Sequence, residues 1–444
     1  MNSNDKGMRA GFATVTTLFF MWGFITVSVD PLIAALKAIF KLTYAEVMLS
    51  QVAFFTAYFI VSLPAAALIA RLGNSKSIIL ALGVMIAGCL IIPAATHFDT
   101  FELVLVALFV IAGGITILQV AANPLAALLG RPERSHFRLT FSQAFNSFGT
   151  FLAPYVVAGV LLTGGIFELS KGCTTITDAQ RATTFANIDH AFLMIAGALV
   201  LLAIFIFVFR RHLDVATDKT PGAKQPSVLT ALKSPWAIYG GLAIFLYVGA
   251  EVSIGSAMTN FLNYEDMLGV TMERAGKLVS FYWGGAMVGR FLGSWLLTRV
   301  PAAKLLMVFA ALAAALCLFV SQMHGDVASY AALSIGLFNS IMFPVIFTLT
   351  LERSTASTSA TSGFLCLAIV GGAVLPYLFG RIADAIGGKQ EELACTAVVN
   401  THSSIGLHMA YLLPMAAYLL ISFFALRASR APIVSHGAAP ATGH

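Results

Sequence analysis

Twelve apolar runs, each about 20 residues or longer and separated by polar loops, limit this chain more than any other feature. A run of that length satisfies its backbone polar groups in hydrocarbon only as a helix or as part of a closed barrel. A membrane barrel alternates apolar and polar residues in short segments, whereas 193–209 is apolar on every face. The runs are therefore helices. Twelve spans at about 20 residues need roughly 240 apolar residues, and 59% of the 444 residues are hydrophobic. Only 10% are charged, against roughly 25% in a soluble domain. A soluble globular fold is excluded.

The runs fall at about 11–36, 44–70, 76–96, 100–128, 138–164 and 187–209, then at about 236–262, 275–298, 302–322, 327–351, 359–383 and 404–426. Between the two sets lies a polar segment with Pro221, Gly222 and Pro226 and no periodic apolar face. The expected organisation is a six-helix bundle over 1–210, a linker over 211–234, a second six-helix bundle over 235–430 and a tail over 431–444. Lys6 and Arg9 precede the first run as in a signal peptide, but that run is too long and lacks a small-residue cleavage site. It reads as the first membrane helix.

Of the 26 Lys and Arg residues, eight (Lys37, Lys41, Lys171, Arg181, Arg274, Lys277, Arg381 and Lys389) fall on one side, Arg290 falls within the eighth run, and the other seventeen fall on the opposite side. Basic loops stay in the cytoplasm, so both termini and the linker are expected there. The net charge of +6 is not gathered into a stripe, which argues against nucleic acid.

The two sets of runs resemble each other. Arg71 and Arg299 precede the third and ninth helices, Pro124 and Pro344 sit late in the fourth and tenth, and Pro154 and Pro376 break the fifth and eleventh, at offsets of 228, 220 and 222. Duplicated bundles with a site between them are a transporter pattern.

A charge at the bilayer centre costs about 2.5–3.5 kcal/mol on insertion scales, so each needs a reason. Asp30 lies in the first helix and Glu251 in the seventh, and those helices occupy equivalent places in the halves. An acid in an apolar cavity is suited to take up and release protons, which makes both candidates for proton coupling; an ion pair or interhelical hydrogen bonding is the alternative. Arg290 lies nearer the end of its helix and reads as a brace there. Gln119 and Asn123, Gln143 and Asn146, and Asn339 are uncharged groups that both donate and accept, as sugar hydroxyls do. Tyr58, Tyr282 and Trp283 offer flat apolar faces for the C–H side of a sugar ring. No phosphate-binding loop, dinucleotide fingerprint or metal-ligand spacing is present, so neither a cofactor, a metal nor enzymatic activity is expected. Cys89, Cys317 and Cys366 read as packing residues, and Cys173 and Cys395 as free thiols in corresponding outward loops.

The runs FFMWGFITVSVD (19–30), QVAANP (119–124) and HFRLTFSQAFNSFG (136–149) resemble the fucose, galactose and glucose proton symporters of the major facilitator superfamily, and YVGAEVSIGS and FNSIMFPVIFTL resemble its glucose/galactose and N-acetylglucosamine branch. The resemblance implies twelve helices in two pseudo-symmetric bundles, Asp30 as the coupling carboxylate, and Asn123, Gln143 and Asn146 as polar cavity residues. Fucose-type members carry a second carboxylate where this chain has Gln119, so a two-acid relay through the fourth helix is not expected, and Glu251 is a candidate to take part of that role. The expected function is proton-coupled import of a neutral sugar by a monomer in a bacterial inner membrane. A uniporter, a sodium-coupled carrier and a sugar sensor that does not transport are the alternatives, and the sugar itself is left open.

Overall fold

The computed structural model describes residues 3–40, 44–161, 178–213, 228–270, 272–387 and 403–434. The side chains of 27–40 and 44–49, that of Asp30 included, lie outside the described residues, as do Cys173 and Cys395. The first half contains α1 (Ser3–Phe40), α2 (Tyr44–Leu72), α3 (Asn74–His97), α4 (Phe101–Leu128), α5 (Ser135–Leu161) and α6 (Asp178–Leu213). The second half opens with α7 (Pro235–Asn263), α8 (Met272–Leu296) and α9 (Ala302–Gln322). Three broken spans follow: α10 (Gly325–Asn339) with α11 (Met342–Leu351), α12 (Thr358–Leu367) with α13 (Gly371–Gly387), and α14 (Ile405–Ala410) with α15 (Leu412–Arg430).

These twelve spans coincide with the twelve apolar runs to within a few residues, apart from α1 and α6, which are longer. The polar flank Ala179, Gln180 and Arg181 is made of helix formers and carries α6 beyond its apolar run. At its other end α6 continues to Leu213; residues 214–227 lie outside the described residues, and a 3-10 turn at Val228–Lys233 leads into α7. Nine spans among the described residues are long and apolar enough to cross a bilayer. The chain is a multi-pass membrane protein.

Packing repeats between the halves. In the first, α1 lies on α5, α3 on α4 and α6, and α2 on α4; in the second, α7 lies on α13, α9 on α10 and α15, and α8 on α10. The halves meet through α5 against α8 and through α2 against α12, which are equivalent pairs under the same repeat. Glycines permit the closest approaches. A Cβ at Gly149 would overlap the Phe20 carbonyl oxygen across α1 and α5, and one at Gly371 would overlap the Phe245 carbonyl oxygen across α7 and α13.

Proline explains two of the polar bonds between spans. A proline has no N–H, so the carbonyl four residues before it loses its helical partner. Pro124 frees the Val120 carbonyl, which accepts the Ser362 hydroxyl of α12 at 2.8 Å. Pro344 frees the Ser340 carbonyl at the break between α10 and α11, and Arg290 Nε donates to it at 3.0 Å. Each freed carbonyl thus ties two helices together. Helix ends are closed in a similar way: Arg138 donates to the carbonyls of Ala126, Ala127 and Arg131 after α4, and Arg353 to those of Leu349 and Ala428, placing cations where helix dipoles end negative.

Candidate functional site

In the first half the Gln119 amide donates to the Tyr58 hydroxyl at 2.6 Å, Gln143 Nε2 stands 3.4 Å from Asn123 Oδ1, and Asn146 Nδ2 donates to the Phe19 carbonyl at 3.0 Å. All five side chains are buried. Asn123 lies beside the Cys366 thiol of α12, and its amide nitrogen has no hydrogen-bond partner. One donor is therefore left over at the boundary between the halves.

The second half answers with a matching group. Asn339 Nδ2 donates to the Tyr282 hydroxyl at 2.7 Å, as Gln119 does to Tyr58, and the Tyr282 hydroxyl donates to the Glu251 carbonyl oxygen at 3.1 Å. Glu251 faces Arg290 and Tyr247, yet its Oε1 and the Tyr247 hydroxyl close no well-formed hydrogen bond. Asn339 Oδ1 and Ser340 Oγ are also buried without partners. Trp283 is 42% exposed and stands edge-on to Tyr282 at 5.1 Å.

Arg290 joins the two groups. Besides its bond to Ser340 it donates to the Ser147 hydroxyl of α5, in the other half, next in sequence to Asn146. The sequence reading made Arg290 a helix-end brace; in the fold it braces one half against the other and also faces Glu251. Ser147 and Tyr247 were not singled out by sequence. Tyr247 was detectable, since it precedes Glu251 by one turn and so shares its helix face.

Further bonds between the halves gather at the end that carries both termini. His136, at the start of α5, meets Glu352, just after α11, at 3.1 Å and Thr348 at 2.5 Å, while the Ser135 hydroxyl donates to Glu352 at 3.1 Å. Burial pushes the Glu352 carboxyl up, but the hydrogen bond and charge of His136, the Ser135 hydroxyl and Arg353 together hold it below the ordinary carboxylate range. These bonds form a latch between the halves at this end. A separate groove of about 510 Å³ between α1 and α5 is lined by Phe12, Phe20, Phe141, Phe145 and Phe148; its walls suit hydrocarbon, and the amides lie elsewhere.

A family model described as Major Facilitator Superfamily matches residues 12–376. A glucose/galactose transporter of Brucella abortus (biovar 1, strain 9-941) is 42% identical over 430 residues, covering 96% of each chain. The L-fucose-proton symporter of Escherichia coli (strain K12) is 31% identical over 392 residues, covering 85% of this chain and 87% of that one. The crystal structure of the transporter FucP in the outward conformation superposes with a TM-score of 0.78 at 27% identity, covering 95% of this chain and 99% of that one.

Proposed function

The chain belongs to the Major Facilitator Superfamily, and from that premise we propose that it is a proton-coupled symporter importing a neutral hexose, glucose or galactose, by alternating access. The observation that carries this reading is the set of uncharged amides, Gln119, Asn123, Gln143, Asn146 and Asn339, buried where α4, α5 and α10 approach the boundary between the halves. Amides match sugar hydroxyls in both donating and accepting, and they leave no charge unpaired against a neutral ligand. The relatives carry glucose/galactose and L-fucose-proton transport in their names, in agreement with that chemistry.

Both termini are cytoplasmic in this reading, so the latched end faces the cytoplasm, in agreement with the outward conformation of the superposed FucP crystal. Domains 1–210 and 235–430 rock about the boundary, with 211–234 as the cytoplasmic linker and 431–444 as a tail. Asp30 carries the coupling proton and Glu251 is a second proton site. Protonation from outside removes a charge from an apolar helix and favours sugar binding; release to the cytoplasm resets the carrier. One proton crossing about 100 mV supplies roughly 2.3 kcal/mol, which at about 1.4 kcal/mol per tenfold supports about fortyfold accumulation. One proton per sugar suffices. The protein works as a monomer in a bacterial inner membrane.

The test is uptake of labelled D-glucose and D-galactose into proteoliposomes under an imposed pH gradient, an imposed sodium gradient, or neither. Concentrative uptake driven by the pH gradient alone is expected. Accumulation that follows sodium, or equilibration without accumulation under either gradient, overturns the reading.

A further inference from the structure

Buried polar atoms without partners are unevenly spread among the described residues. In the second half they form a line that starts near the outer end with Asp266 Oδ1 and His408 Nε2, continues through the Tyr411 and Tyr418 hydroxyls, and ends at Tyr247 and Glu251 Oε1. Each such atom is costly when nothing satisfies it. Phenylalanine in place of these tyrosines would fill the same space without that cost. Buried groups of this kind are ordinarily met by ordered water, and a line of them describes a line of waters.

The members follow one another from the outer end inward, with the Cys317 side chain between Tyr411 and Tyr418. His324 is exposed at the outer end and stacks on buried His408 with ring centroids 4.3 Å apart. His408 Nδ1 donates to the Val320 carbonyl at 2.6 Å. A carbonyl only accepts, so the proton sits on Nδ1 and Nε2 keeps a lone pair, buried and without a partner. Tyr411 lies three residues further along, about 4.5 Å down the helix axis, and Tyr418 about 10 Å deeper. The Phe261 ring flanks both His408 and Tyr411 at 5.2 Å, and Cys317 faces Tyr411 and Tyr418. Tyr418 in turn lies beside Glu251, Tyr247 and Asn339, while Tyr282 is within electrostatic reach of Tyr411, Tyr418 and Glu251. Asp266 faces His408 at the outer end, and Arg290 faces Glu251 at the inner end.

We propose that this line is a water-bridged proton path inside the second half, running from the His324 and His408 pair at the outer face to the Glu251 carboxylate, apart from the sugar's route. It rests on the reading that Glu251 is a proton site on the way to Asp30, which holds the coupling proton. His408 takes a proton on Nε2 from outside and passes it to the adjacent water. Each hydroxyl or water then accepts one proton on oxygen and releases another to its inner neighbour. Net, one N–H bond breaks at His408 and one O–H bond forms at Glu251. A path within one half delivers the proton without asking the sugar cleft to be open.

The test uses purified full-length protein in proteoliposomes with D-galactose, comparing wild type, Tyr411→Phe and His408→Gln. Tyr411→Phe keeps the ring and removes one oxygen. Initial galactose-driven proton uptake is expected to fall about tenfold in each variant, less than the roughly hundredfold that a positioned proton-transfer group supplies because water fills the vacated place, and its dependence on outside pH should shift. Galactose counterflow, which needs no net proton movement, should be unchanged and reports an intact fold. Proton uptake and pH profile equal to wild type in both variants overturn the path, and so does a parallel loss of counterflow in both, which assigns the residues to packing. Wild-type protein without galactose-linked proton movement overturns the symport reading itself.

Discussion

The Gln119 amide donates to the Tyr58 hydroxyl across α4 and α2, and Asn339 repeats the bond to Tyr282 across α10 and α8. Both pairs are buried. The Gln119→Leu variant leaves the Tyr58 hydroxyl buried without a partner and removes a candidate sugar contact. Loss of that contact leaves a sugar hydroxyl without its partner, and a cost of about 1–3 kcal/mol translates into roughly 5- to 150-fold weaker sugar binding, read by calorimetry with glucose and galactose. Unchanged affinity would remove Gln119 from the site.

The bond of Glu352 to His136 predicts how the latch responds to acid. A carboxyl held down in the latched form stabilises that form above the ordinary glutamate value near 4.3, and the contribution is lost as pH falls through the lowered value. The latch therefore holds at neutral pH and weakens in acid. Glu352→Gln should open this end at pH 7 by about 1 kcal/mol, the scale for a partly exposed charge-assisted bond, or roughly fivefold in population. Spin labels on the facing ends of α5 and α11 measure it. Wild type and variant should converge once pH falls below the lowered Glu352 value, and a variant that stays latched at pH 7 contradicts the account.

Gly149 lets α1 and α5 touch backbone to backbone. Gly149→Val forces side-chain bulk against the Phe20 carbonyl, and overpacking of this kind costs about 1–3 kcal/mol or more. The melting temperature of the detergent-solubilised protein should drop by several degrees, and Gly371→Val should behave alike through Phe245. Gly7 has open space around it, so Gly7→Ala should leave the melting temperature unchanged.

Helix number and spans were legible because apolar length alone decides what crosses a bilayer. Pro124 and Pro344 were legible as a repeated pair. Their consequence was not: the freed Val120 and Ser340 carbonyls are taken by Ser362 and Arg290, and which helix lies opposite is a property of packing. The latch joins His136 to Glu352 over 216 residues of chain, a pairing with no local signal. Likewise Tyr418 reaches Glu251 only because α15 packs on α7. The amides of α4 and α5 stood out as polar residues at hydrocarbon depth, and the structure adds that they bond within their own half while Arg290 and Asn123 face the other.

The most direct measurement is sugar-induced alkalinisation outside de-energised cells, for wild type and Asp30→Asn. A rise in external pH on adding glucose or galactose, lost in Asp30→Asn while sugar counterflow survives, is the predicted result. Sodium-independent counterflow in the wild type with no pH change would contradict the account and make this protein a facilitator.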